Sequence, residues 1–161
     1  MSQERGPRTA ASGPPLYGVD TMLFVYHFEN NDRFGEQAGV LLAAAERGQC
    51  RLVTSVLSLL EVLVIPKRHG MADLCRRYRE MFSSFPNLSV RPVDDQVAEI
   101  AADLRAAFAI RTPDALHLAT ALHARADGFV SEDRGLRRVS AARILTLRQA
   151  ARSIRPVPPG A

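Results

Sequence analysis

Short apolar runs alternate with longer stretches of helical period along most of the chain, separated by turn or charged residues. Leu16 to Val19 reads as a strand and Thr21 to Phe28 as a helix. Phe34, Ala38, Leu41, Leu42 and Ala45 recur at helical spacing over Phe34 to Arg47, and Gly48 is a stop signal. Arg51 to Val56 is a second strand. Leu57 to Ile65 is apolar almost all round, which predicts a buried helix broken by Pro66 and Gly70. An amphipathic helix over Met71 to Phe85, a strand over Asn87 to Val93 and a helix over Asp95 to Ile110 follow. Thr112-Pro113 predicts an N-cap with proline at N1, opening a helix to about Ala126. Gly128 to Ser131 is a fourth strand, Gly135 to Val139 a short helix, and Arg143 to Leu147 a fifth strand. Strands separated by helices require crossover connections. The expected fold is therefore α/β, a mostly parallel sheet of about five strands with helices on both faces.

Residues 1–15 and 151–161 read as tails flanking one domain over 16–150, because Gly, Pro, Ser and Ala dominate the first and Pro-Val-Pro-Pro the second. A chain of 161 residues with 47% hydrophobic and 24% charged residues is long enough to build a core unaided. Cys50 and Cys75 are the only cysteines, too few for a disulfide framework or a four-ligand zinc set. The N-terminus lacks the apolar stretch of a signal peptide. The longest apolar run, Val56 to Ile65, is interrupted by Ser58 and Glu61. A cytoplasmic protein with no membrane segment is expected.

Charge adds a direction. The net charge is +4, and after Asp133 the chain carries seven arginines and no acid. Such an ending attracts phosphate, although a general preference for arginine explains it too, since Lys67 is the sole lysine. No GxGxxG, GxxxxGKS/T or GxSxG occurs, and His27, His69, His117 and His123 have no paired-ligand spacing, so structural or surface roles are expected for them.

In an α/β sheet ligands bind beyond the carboxyl ends of the strands. Asp20 follows the first strand and Asp133 the fourth, while Asp114 lies in the first turn after Thr112-Pro113. Each of these would also serve as a helix cap or dipole partner. Glu61, a lone charge among Leu59, Leu60, Val62, Leu63 and Val64, needs a partner if its helix is buried. Were all four acids to converge, a cation would be required to keep them ionised, and hard oxygen donors suit Mg²⁺ or Mn²⁺.

Four segments in order carry a resemblance: Asp20-Thr21, Ser58-Leu59-Leu60-Glu61, Pro113-Asp114-Ala115-Leu116-His117, and Val130-Ser131-Glu132-Asp133-Arg134. Together they resemble the PIN domain, and are most similar to small VapC-type toxins of bacterial toxin–antitoxin pairs, from about Tyr17 to Leu147. The chain departs from that pattern in the sixteen residues ahead of Tyr17. The resemblance implies a parallel, doubly wound sheet and a metal-dependent endoribonuclease. It implies metal-holding roles for Asp20, Glu61, Asp114 and Asp133, a supporting hydroxyl at Ser131, a small antitoxin partner and a homodimer. Arg134, Arg137 and Arg138 would then steer the RNA backbone. The alternative is a non-catalytic RNA-binding or protein-interaction module of the same fold, whose acids only cap helices.

Overall fold

The computed structural model describes residues 13–154. Most of the expected N-terminal tail, residues 1–12, and residues 155–161 of the expected C-terminal one lie outside the described residues. The element order is β1 (Leu16–Val19), α1 (Met22–Phe28), α2 (Gly35–Glu46), β2 (Arg51–Ser55), α3 (Val56–Arg68), α4 (Ala72–Ser84), β3 (Leu88–Arg91), α5 (Asp95–Phe108), α6 (Thr112–His123), β4 (Gly128–Val130), a 3-10 turn (Arg134–Arg138), β5 (Ile144–Leu145) and α7 (Leu147–Ser153).

The sheet is wholly parallel, in the order β3-β2-β1-β4-β5. Tyr17 stands opposite Leu52 on one side and Gly128 on the other, and Val19 opposite Val130. The order reverses at β1: the chain moves outward through β2 and β3, then returns to the far side of β1 with β4. That reversal opens a crevice at the carboxyl ends of β1 and β4.

Each face of the sheet has its own core. On one, Tyr17, Val19, Leu23, Phe24, Leu41, Leu42, Tyr78 and Phe82 gather α1, α2, α4 and α7. On the other, Val97, Leu104, Leu118, Phe129, Leu136 and Val139 gather α5, α6 and the 3-10 turn. Helix α6 lies against β1 so closely that a β-carbon built at Gly18 would collide with the Ala121 methyl and crowd the Phe129 ring. Gly18→Ala is expected to lower the urea-unfolding free energy by about 1–3 kcal/mol, through overpacking between α6 and the sheet.

Four expectations need correction. Pro66 does not end α3, which runs on to Arg68; the break falls at Gly70, whose φ of 65° is left-handed. The predicted burial of α3 is confined to one side: Val62 is buried, whereas Val56, Leu60, Val64 and Ile65 are exposed. The predicted strand over Arg143 to Leu147 shortens to Ile144–Leu145, and the chain enters α7 instead of a tail. Thr146 caps that helix by accepting from the Gln149 N–H, while the Gln149 side chain accepts from the Thr146 N–H. Helix α6 also starts one residue differently, with Arg111 as the cap residue and Thr112 and Pro113 inside its first turn.

Candidate active site at the carboxyl ends of β1 and β4

Strand β1 delivers Asp20 to the crevice, and β4 delivers Ser131, Glu132 and Asp133 alongside it. The Ser131 hydroxyl donates to Asp20 Oδ2 at 2.6 Å and accepts from the Asp133 N–H at 3.1 Å, tying the two strand ends together. Asp20 Oδ1 accepts from the Met22 N–H at 3.0 Å. Burial pushes the Asp20 carboxyl above its ordinary 3.8, against the lowering effects of the Ser131 bond and of His117, and the charge of Asp114 adds to the rise.

Asp20, Asp114 and Asp133 line one cavity of about 570 Å³, together with Glu132, Tyr26, Arg33, Arg111, Arg134 and Arg137. Arg138 is absent from that lining. Each acid already has a partner within the chain. Asp114 accepts from Arg111 Nε at 3.1 Å, and Asp133 Oδ1 caps the 3-10 turn through the Gly135 N–H at 2.7 Å. Tyr26 is raised in pKa, first by burial and then by the charges of Asp20 and Glu132.

Glu61 does not join the other three. It faces the neighbouring groove of about 890 Å³ between α1, α3 and α4, and its Oε1 stands 3.0 Å from Nε2 of the buried His117. That bond is the main reason its pKa is lowered. Of the four acids, three thus line one cavity and Glu61 stands in the groove beside it, held by His117 of α6 and near Thr21 just past the end of β1.

Among the described residues no three His, Cys, Asp or Glu side chains stand close enough together to hold a metal ion as placed. In kind, the donors fit a hard divalent cation. Four carboxylates, Asp20, Asp114, Glu132 and Asp133, line one cavity, and burial raises the pKa of Asp20 among them. Residues to which the sequence analysis gave no part in the site complete the picture: His117, for which a structural or surface role was expected, with Glu132, Tyr26, Arg33 and Arg111. Arg111 carried a readable signal, standing three residues before Asp114 at the start of a helix; His117, one of two histidines in α6, carried no metal-ligand spacing.

An acid-lined crevice thus lies at the reversal point of a parallel sheet in an α/β protein. The family profile of the PIN domain matches residues 17–142, and the chain belongs to that family. No curated protein matches it in sequence. Among solved structures, a toxin–antitoxin complex from Klebsiella pneumoniae is similar at 21% identity and a TM-score of 0.60, over 83% of this chain and 97% of that one. VapBC2 from Rickettsia felis, bound to a DNA fragment from its promoter, is similar at 15% identity and a TM-score of 0.62, over 81% and 98%. FitAcB from Neisseria gonorrhoeae is similar at 19% identity and a TM-score of 0.56, over 83% and 98%. At these identities the likeness establishes the fold. No described helix is long and apolar enough to cross a membrane.

Proposed function

We propose that this PIN domain is a cytoplasmic Mg²⁺- or Mn²⁺-dependent endoribonuclease and the toxin of a toxin–antitoxin pair. The observation that carries the reading is Asp20: a carboxylate pushed up in pKa by burial, held by Ser131, in one cavity with Asp114 and Asp133. Those three acids would hold the cation, with Glu61 behind them. When bound, the cation supplies the positive charge that favours a hydroxide nucleophile and offsets the charge building on a phosphodiester. Ser131 orients Asp20 by its short hydrogen bond, leaving that carboxylate's remaining lone pairs toward the cavity. Arg33, Arg134 and Arg137 on the cavity wall bind the RNA backbone by charge.

A protein partner is supported by the surface. Val56, Leu60 and Val64 form an exposed apolar stripe on α3 at four-residue spacing, beside the groove lined by Met22, Ile65 and Met71; apolar surface of this kind marks an interaction site. An antitoxin and a second copy of the chain are the partners proposed. The solved relatives named above include toxin–antitoxin complexes.

A non-catalytic module of the same fold is favoured by two contacts, the Asp133 cap and the Arg111–Asp114 pair. Incubation of single-stranded RNA with purified protein in Mg²⁺ and in EDTA separates the two. Cleavage in Mg²⁺ that EDTA stops is expected; no metal-dependent product from any RNA tested would favour the module.

A further inference from the structure

We infer that His117 is a positioning residue for the acid site: its Nε2–H fixes the Glu61 carboxylate and the Thr21 hydroxyl behind Asp20. A side chain that touches no ligand thereby sets the affinity of the site for a divalent cation. The inference rests on the reading of the acids as a cation site.

The direction of every proton follows from the contacts. The Thr54 hydroxyl donates to the Val19 carbonyl at 3.0 Å, so in its 2.8 Å contact with Ser58 it can only accept, and Ser58 donates. Thr21 donates to Ser58 at 3.0 Å, which uses its single proton. At 3.3 Å from His117 Nε2 the Thr21 oxygen therefore accepts. Nε2 carries the proton and shares it between Thr21 and Glu61 Oε1 at 3.0 Å. Nδ1 is buried with no partner.

The ladder runs from α6 through α3 and β2 to the last residue of β1, and all its hydroxyls are buried. Two of its members are site neighbours: Thr21 follows Asp20 in sequence, and Glu61 is itself one of the family-pattern acids. Asp114 and His117 lie three residues apart on α6, on one face, so a single helix presents an acid to the cavity and the imidazole behind it. Around it Ala115, Leu118, Ala119 and Ala121 are buried, and the other buried polar side chain of α6, Thr120, donates to its own helix at the Leu116 carbonyl. Core packing alone would be met by leucine at position 117, without an orphaned ring nitrogen.

The experiment compares wild type, His117→Leu and His117→Gln as full-length chains, with Mn²⁺ titrated by calorimetry and thermal melts in EDTA alongside. Leucine fills the buried space and is expected to melt at or above wild type while raising the Mn²⁺ Kd about tenfold or more. Glutamine, whose amide nitrogen reaches close to the Nε2 position, is expected to restore most of the affinity. Wild-type affinity in the leucine variant, or a loss in glutamine as large as in leucine, would overturn the positioning role. Should leucine fail to fold, His117→Asn takes its place: its shorter amide cannot reach Glu61, and it is expected to bind Mn²⁺ more weakly than glutamine. Equal affinities would overturn the role. If wild type itself binds no Mn²⁺, the cation reading falls and this inference with it; wild type that binds, with variants that bind alike, removes only the role of His117.

Discussion

Asp20→Asn is expected to lose Mg²⁺-dependent RNA cleavage by about 100-fold or more, and at the same time to melt at a higher temperature than wild type in EDTA. The loss follows because the amide cannot balance a cation, and its oxygen can accept from the Met22 N–H or from the Ser131 hydroxyl but not from both. The gain follows from the direction of the pKa shift. A carboxyl held above its ordinary 3.8 in the folded state destabilises the fold wherever it ionises. The penalty is fully present above the raised value, shrinks as pH falls through it, and is gone below 3.8. The difference in melting temperature between variant and wild type should therefore close on acidification. A variant that melts below wild type at pH 7, or that keeps wild-type turnover in a preparation free of host nucleases, contradicts the site.

The second large effect is stabilisation by the cation. Mn²⁺ at a hundredfold excess over its Kd stabilises the folded state by about 2.7 kcal/mol, which for a domain of this size raises the melting temperature by roughly 5–10 °C. Asp20→Asn and Asp114→Asn should lose most of that gain. Acids that serve only as caps predict otherwise: asparagine caps about as well as aspartate, and Mn²⁺ would leave the melt unchanged. The Asp133 cap and the Arg111–Asp114 pair make this a sharp contrast, because both contacts exist in the chain. The pair is an exposed i,i+3 contact, with Arg111 79% exposed, and such pairs contribute about 0–1 kcal/mol, so it is no strong competitor for a divalent ion.

The class of fold and the position of Asp20 and Asp133 at the carboxyl edge of the sheet were both legible in the chain, for one physical reason. Buried parallel strands read as apolar runs, and a carboxylate that ends such a run, as Asp20 and Asp133 do, lies at the sheet's carboxyl edge whatever the helices do. What was not legible depends on how helices turn about their own axes. Nothing local in Leu59 to Val64 says which side of α3 meets α4 and the sheet, so its burial was overestimated and the contact of Glu61 with His117 was not foreseen. His117 reads as an isolated histidine until α6 is docked across Thr21 and Glu61. Helix α7 is a different case. Thr146-Leu147-Arg148-Gln149 carries the capping-box signature, but the apolar residues Ile144, Leu145 and Leu147 extend the strand pattern across it.

The most direct measurement is anomalous diffraction at the manganese edge from crystals of the full-length chain soaked in Mn²⁺. The expected result is a peak in the cavity of Asp20, Asp114 and Asp133, with Asp114 released from Arg111, and no such peak in Asp20→Asn. Saturating Mn²⁺ that leaves this cavity without a peak, or a peak bound only elsewhere on the surface, would contradict a cation site at the carboxyl ends of β1 and β4.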